Sequence, residues 1–199
     1  MALLYKQDFW VCPDCGYAIE ADFLSSKVND TKLFKEKRRT QTGKPCNRLE
    51  LIRRSLGYQF KTDVVRIKIR RTLRPEANSF EQAYSILQAL ILSASEMLDI
   101  DYSEISGCLQ YYADSSANFS YILYDRTPGG AGHVKRLNNE FLLRKVLQEA
   151  YDRCKSCNCG GEEGDSSCYS CFRTYQNQKY HGILKRKYVV DYLKEVLAL

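Results

Sequence analysis

The sequence predicts an α+β fold, or mixed α/β, in which helices flank a small sheet and cysteine-rich loops complete the structure. Three features support this prediction: a strand-like alternation after residue 64, a long helical stripe after residue 79, and four cysteines in a short window near the C-terminus. The chain has 199 residues, of which 44% are hydrophobic, enough for one domain with a small appendage. We expect an N-terminal cysteine-containing segment, residues 1–48, and an α+β domain, residues 49–199.

The N-terminal segment carries a cysteine knuckle and few secondary-structure signals. Cys12 and Cys15 stand in the order Cys-Pro-Asp-Cys-Gly, and Cys46 ends the turn sequence Gly-Lys-Pro-Cys after a basic run. We expect two short irregular hairpins here. Cys12, Cys15 and Cys46 are candidate metal ligands because two thiolates on a tight turn can bind one side of a metal ion; the alternative is a three-sulfur remnant without metal.

A strand is predicted next, because hydrophobic residues alternate with basic ones from Val65 to Arg70. One side of such a strand enters the core, and the other carries a row of cations. The basic residues of that row are Arg66, Lys68 and Arg70. Two interpretations remain open: a solvated outer face, which is common in antiparallel sheets, or a ridge that contacts phosphates.

The main core helix is predicted to begin at Ser79, because apolar residues recur at helical spacing as far as Leu98. Two strands follow, Ile105–Tyr112 and Phe119–Tyr124, with a turn at 114–118 that suits an antiparallel pair.

A glycine-rich loop, Pro128–Gly132, then leads into a second helix. Backbone N–H groups at this point could hold a phosphate, or the loop is a tight turn in which only glycine fits. The expected apolar positions of the second helix are Val134, Leu137, Phe141, Leu147 and Ala150. A closing helix from about Lys185 is expected to bury Val189, Tyr192, Leu193 and Val196.

The window between these last two helices predicts a metal site. Its four cysteines are Cys157, Cys159, Cys168 and Cys171. A pair on each side of a flexible loop can bring four thiolates to one centre, and Zn²⁺ is the usual occupant of such a set. Four sulfurs leave no open position for water, which favours a structural role. Cys154 offers an alternative first pair with Cys157, and Cys108, within a strand, is expected to be a buried small hydrophobe.

Two further sequence features have alternative interpretations. The polar and aromatic run from Arg173 to His181 either braces the cysteine loop or stacks on bases. His133 and Lys135, followed by Glu140, imitate half of a phospholipase-D-type nuclease signature. That chemistry needs two halves, and His181 has no lysine two residues later, so a helix-start role for His133 is favoured over a phosphodiesterase.

Composition and charge narrow the class of protein. The net charge of +6 is consistent with contact to a polyanion and equally with a solvated basic surface. The N-terminus lacks the pattern of a secretory signal, and no apolar stretch suits a membrane span, so we expect a cytoplasmic protein without membrane contact. In that compartment nine cysteines are expected to be metal ligands or free thiols.

Two motifs resemble those of a known family. The glycine loop, Tyr124 to Leu137, and the cysteine window with its following run, Cys157 to Leu184, are similar to the hallmarks of the C-terminal domain of a group of DExH-box helicases, the MrfA-type zinc-binding domain. Related copies occur in anti-phage systems of the DISARM and Druantia type. The order of elements between the motifs also resembles that of the family, and the likeness extends over most of the chain.

The resemblance implies a Zn²⁺-stabilised accessory module that works with a DExH-box helicase subunit or domain on DNA, in anti-phage defence or DNA repair. It places the four-cysteine site on the residues of the C-terminal window. Relatives often carry a histidine before the second N-terminal turn, where this chain has Lys37-Arg38-Arg39, so a second zinc there needs Cys108 or another residue as its fourth ligand. No phosphate loop of an ATPase is present in the sequence, so any motor lies in a partner or in a longer chain. The expected function is non-enzymatic DNA contact and subunit docking; the alternative is an assembly module that never touches DNA.

Overall fold

The computed structural model describes residues 8–20, 38–48, 50–55, 59–69, 79–111 and 119–199. The chain divides into two compact units, the first ending at Gln59 and the second running from Phe60 to Leu199. Arg70 and the predicted turn at 114–118 lie outside the described residues.

The first unit contains a three-stranded antiparallel sheet. Its strands are β1 (Asp8–Val11), β2 (Ala18–Glu20) and β3 (Ile52–Ser55), in the order β2-β1-β3. The pairing of Val11 with Ile52 brings β3 into this unit. The expected boundary at residue 48 therefore falls before the last strand of the sheet.

Two tight turns hold the cysteines of this unit. In the β1–β2 hairpin the Cys12 N–H donates to the carbonyl of Tyr17 at 2.8 Å, and Gly16 adopts a φ of +71°. The second turn is closed by a bridge between Arg39 and Pro45, as the two-hairpin prediction requires.

The sheet of the second unit comprises β4 (Val64–Lys68), β5 (Ile105–Tyr111) and β6 (Phe119–Asp125). All pairings are antiparallel, and β6 lies between the other two strands. The predicted β5–β6 pair is therefore present. In β4 the alternation has the expected effect, because Val65 and Ile67 are buried while the basic residues between and after them are exposed.

Three α-helices accompany this sheet in the described part of the chain: α1 (Ser79–Leu98), α2 (Glu140–Ser156) and α3 (Arg186–Val196). α1 packs against β5 and against both other helices. Its fully buried residues include Ile86 and Leu90, which belong to the predicted stripe. The α+β fold class is thus confirmed, although the described strands form two small sheets where one was expected.

The helix predicted to run unbroken from Val134 is wrong. A 3₁₀ helix, Val134–Asn138, comes first, and α2 begins only after Asn139. Asn139 has extended backbone angles and its side chain accepts a hydrogen bond from the Leu142 N–H at 3.1 Å, so it caps α2. The break rotates the apolar pattern, and Phe141, expected in the core, is 69% exposed.

None of the helices in the described ranges is long and apolar enough to cross a membrane.

Candidate metal centre

The four cysteines of the C-terminal window lie together at the end of α2. Cys157 directly follows that helix, and Cys171 precedes the fully buried Phe172. The four Sγ atoms all lie within 4.8 Å of one another. Individual Sγ–Sγ distances are 3.4 Å from Cys157 to Cys168, 3.7 Å from Cys159 to Cys171 and 3.8 Å from Cys168 to Cys171.

These distances fit a tetrahedral zinc site. With Zn–S bonds of about 2.3 Å, the edges of a regular sulfur tetrahedron are about 3.8 Å long. The observed Sγ–Sγ distances are close to that value, and the donor set consists only of thiols, which suits Zn²⁺. When bound, the metal would supply structural cross-linking, because four protein sulfurs leave no position for a substrate.

One of the four thiols is already acidic. Burial raises the pKa of Cys168, but hydrogen bonds from the Cys157 thiol and the Cys171 backbone N–H outweigh this effect and bring the pKa to about 6. Burial raises the pKa of Cys171 and of Cys159. Because the thiolate is the form that binds metal, Cys168 is the sulfur prepared for it near neutral pH.

The loop between the two cysteine pairs depends on glycine at a close backbone approach. Gly160 has a φ of +73°, and a Cβ there would lie 2.8 Å from the backbone nitrogen of Asp165 and closer still to that of Ser166. Any side chain at this position would force the loop open. The loop therefore owes its path to glycine as well as to its cysteines.

Two arginines fasten the loop to the rest of the unit. The Arg186 Nε donates to the carbonyl of Cys159 at 2.7 Å, and a terminal nitrogen of the same guanidinium donates to the carbonyl of Gly161. The Arg173 Nε donates to the hydroxyl of Ser167 at 2.9 Å, and that hydroxyl donates to the carbonyl of Leu184. Both cations bind oxygen atoms of the protein, not sulfur.

The run after the cysteines acts largely as a brace. The Asn177 Nδ2 donates to the Phe172 carbonyl at 2.9 Å and to Gln88 on α1 at 3.0 Å. The His181 Nε2 lies 2.9 Å from the Asn177 Oδ1. These contacts favour the bracing interpretation over base stacking for Asn177 and His181, as they do for Arg173.

Tyr175 differs from its braced neighbours, because its side chain is 80% exposed. It lies at a cleft of 460 Å³ between α1, β5 and the brace, lined also by three other tyrosines and one arginine. These residues are Tyr84, Tyr102, Tyr124 and Arg126.

Cys154 is fully buried in α2, and burial raises the pKa of its thiol. It does not belong to the group of four whose sulfurs lie within 4.8 Å of one another. The geometry therefore favours Cys157 with Cys159 as the first pair over a pair that includes Cys154. Cys108 lies in β5 as expected but is half-buried, where a buried residue was expected, and its burial raises the pKa of the thiol.

The three cysteines of the first unit also form a cluster. The ligand atoms of Cys12, Cys15 and Cys46 lie within 4.8 Å of one another, with 3.7 Å between the sulfurs of Cys12 and Cys46. Arg38, only 7% exposed, directs its guanidinium at two of them, with Nε 3.4 Å from the Cys15 sulfur and a terminal nitrogen 3.6 Å from the Cys46 sulfur. Despite the opposing effect of burial, the hydrogen bond from Arg38 helps to lower the pKa of Cys15 to about 7.

The N–H groups of the glycine loop bind a carboxylate of the same unit, and this contact decides between a phosphate site and a tight turn. The carboxylate of Asp125, at the end of β6, is fully buried and accepts hydrogen bonds from the backbone N–H groups of residues 131–134 at 2.7 to 3.1 Å. The N–H groups of Gly129 and Gly130 donate to backbone carbonyls. The loop is thus a tight turn closed by an internal anion, and its N–H groups are not available for phosphate.

The half-signature of a nuclease is also accounted for structurally. Lys135 forms an ion pair with Asp63 at 2.9 Å, and His133 directly precedes the 3₁₀ helix. Lys135 is thus held by an acidic residue of the same unit.

The basic row predicted as a phosphate ridge is described in part. Arg66 and Lys68 lie on the exposed side of β4, opposite the buried Val65 and Ile67. Arg70 lies outside the described residues.

Sequence reasoning suggested Asp125 as a residue that could brace the glycine loop, and the structure bears this out. It missed the contact of Arg38 with the cysteine sulfurs. Arg38 gave no motif-level signal beyond its position in the basic run before Cys46.

Comparison with known proteins agrees with the zinc-site geometry. Residues 86–172 match the family model described as the MrfA Zn-binding domain, a segment that includes all four cysteines of the C-terminal window. The match confirms the resemblance seen in the sequence and supports zinc as the cofactor. The N-terminal cysteines lie outside the matched segment.

Two individual proteins are also similar. The chain is 28% identical over 204 residues to Druantia protein DruE from Escherichia coli (strain UMEA 4076-1), covering 95% of this chain but 11% of DruE. The chain thus spans about a tenth of the length of this curated relative. A crystal structure of the helicase MrfA bound to DNA matches with a TM-score of 0.49 and 17% identity, covering 80% of this chain and 20% of that one.

Proposed function

We propose that this chain is a zinc-stabilised accessory module of a helicase-driven DNA-processing or anti-phage machine, because residues 86–172 match the model of the MrfA Zn-binding domain. The observation that carries the proposal is the cluster of four cysteine sulfurs inside the matched segment. Its closed donor set suits a structural metal, so the module supplies a shaped surface and no catalysis.

The proposed partner is a DExH-box helicase, present as another subunit or as the remainder of a longer chain. The similarity to DruE supports a place in a longer protein of the Druantia type, since the chain corresponds to about a tenth of that relative. A cytoplasmic location fits nine cysteines that form no disulfide.

Direct DNA contact is the finer part of the proposal. It is supported by Arg66 and Lys68, which project from the exposed side of a strand whose other side is anchored in the core. Tyr175 adds an exposed aromatic ring to the cleft that Arg126 also lines, and an aromatic ring and a guanidinium are suited to an unstacked base and a phosphate. The alternative function is assembly without DNA contact, through the same exposed surfaces.

Charge reversal on β4 tests the DNA contact. The double variant Arg66→Glu/Lys68→Glu should bind duplex DNA about tenfold or more weaker at low salt, and the slope of log K against log salt should fall by about 1.8, the value for two lost phosphate contacts. Titrations at several salt concentrations with the whole chain measure both quantities.

A matched control carries the same change of charge elsewhere. Arg144 and Lys194 are exposed on α2 and α3, and Arg144→Glu/Lys194→Glu alters the net charge equally. If the two double variants weaken binding by the same amount, only net charge matters and the ridge on β4 is refuted. If the unaltered chain binds no DNA but still captures its helicase, the assembly function replaces the proposal.

A further inference from the structure

The cysteine cluster of the first unit lacks a fourth ligand of the usual kind. Residues 4–59 contain Cys12, Cys15 and Cys46 but no other cysteine and no histidine. Structural zinc sites are closed by four protein ligands, almost always sulfur or imidazole nitrogen. Three sulfurs within 4.8 Å of one another can bind Zn²⁺, but they leave one corner of its tetrahedron open.

A guanidinium takes up a defined position beside these sulfurs. The Arg38 side chain is 7% exposed and donates from two different nitrogens to the sulfurs of Cys15 and Cys46. The Arg38 Cζ lies 5.3 Å from the centroid of the Tyr17 ring. The Cys46 N–H donates to the Arg38 carbonyl at 2.9 Å, so the backbone fixes the two residues opposite each other.

The charges explain why a cation belongs there. A buried guanidinium is costly unless anions compensate it. Zn²⁺ with three thiolates carries one net negative charge, which one guanidinium cancels. Hydrogen bonds from outside the coordination sphere to ligand atoms also hold those ligands in place. Arg38 has no lone pair to offer a metal, so it cannot itself close the tetrahedron.

We propose that Cys12, Cys15 and Cys46 bind a second Zn²⁺, that Arg38 is a positioning residue that binds the ligand sulfurs from outside the coordination sphere, and that the fourth coordination position is filled by an exchangeable ligand. That ligand is water in the isolated chain, and a small nitrogen or sulfur donor can replace it. The first unit is thus an open zinc site and the second unit a closed one.

Cobalt substitution of the whole chain tests the open position, because the visible absorption of Co²⁺ depends on its ligands. Imidazole added to the Co²⁺-loaded chain should change the spectrum saturably. The Cys12→Ser chain, which keeps the four-cysteine site, should show no such change. A wild-type spectrum indifferent to imidazole and to 2-mercaptoethanol would mean a closed or metal-free site and would overturn the proposal; a carboxylate of the same chain bound at the fourth corner would give that result.

Substitution of Arg38 tests its role separately. Arg38→Met keeps the length of the side chain but removes charge and donors, and should weaken Zn²⁺ binding at this site 10- to 100-fold in chelator competition. Arg38→Lys keeps the positive charge but lacks the forked guanidinium, so its Zn²⁺ affinity should lie between those of the wild type and Arg38→Met. The fluorescence of Trp10, the single tryptophan of the sequence and a residue of β1, shows whether the first unit of each variant is folded. If Arg38→Met binds the second Zn²⁺ as tightly as wild type, the positioning role is wrong; if it fails to fold, Arg38→Lys and the imidazole response decide.

Discussion

The two cysteine clusters of this chain use their arginines differently. In the second unit four sulfurs lie together, and Arg186 binds carbonyl oxygens of the loop that carries them. In the first unit three sulfurs lie together, and Arg38 binds two of the sulfurs themselves. At the cluster of three sulfurs the cation contacts the thiols themselves, and at the cluster of four it contacts the backbone of the loop. Arg38 can therefore act on the charge of the sulfurs, whereas Arg186 acts on the path of the loop.

The largest expected effect comes from removing one sulfur of the closed cluster. Cys171 is fully buried and precedes the buried Phe172, so Cys171→Ser should abolish zinc binding there and destabilise the second unit by at least about 4 kcal/mol. Urea unfolding measures the loss. Cys108→Ser is the control, since Cys108 lies outside both clusters, and its effect should be much smaller. If both variants lost the same unfolding free energy, Cys171 would stabilise the second unit no more than a cysteine outside the cluster, and no metal would be bound there.

A smaller effect is expected from removing the arginine that holds the loop of the closed cluster. Arg186→Ala removes two charge-assisted hydrogen bonds to the loop and should cost about 1–2 kcal/mol, less than in a fully buried site because the side chain is partly exposed. Zinc should also leave this site faster in the presence of a chelator. Arg144→Ala, on the exposed side of α2, should release zinc at the wild-type rate. A wild-type rate of zinc release from Arg186→Ala would mean that the hydrogen bonds of Arg186 do not hold the zinc site together.

The smallest effect is expected across the two units. Cys15 belongs to a separate compact unit, so Cys15→Ser should alter the unfolding free energy of the second unit by less than about 0.5 kcal/mol while removing metal from the first. Differential scanning calorimetry with parallel metal analysis distinguishes these outcomes. A loss as large as that of Cys171→Ser would show that the two clusters unfold as one cooperative site.

Several parts of the molecule could be predicted because their signals are periodic or compositional. The stripe of α1 and the alternation of β4 each follow from one repeat of hydrophobic residues, and burial follows that repeat. The cysteines of both clusters could be grouped because few residue types bind zinc and their spacing is restricted.

The remaining features depend on partners that no repeat encodes. The exposure of Phe141 follows from the cap at Asn139, which interrupts one apolar pattern and begins another. The sequence of the glycine loop left both a phosphate site and a tight turn open, and the Asp125 carboxylate, which accepts hydrogen bonds from the loop N–H groups, decides for the turn. Arg38 was one member of a basic run until the fold brought it beside Cys15 and Cys46. In each case one side chain sets the local structure through a hydrogen bond that the repeat of hydrophobic residues does not reveal.

Counting zinc per chain by native mass spectrometry, before and after exposure to a mild chelator, distinguishes the closed zinc site from the open one. Our expectation is two zinc ions before exposure and one afterwards, with the surviving ion absent from the Cys171→Ser chain. A chain that carries no zinc, with the thiols of Cys157, Cys159, Cys168 and Cys171 all open to alkylation, would contradict it.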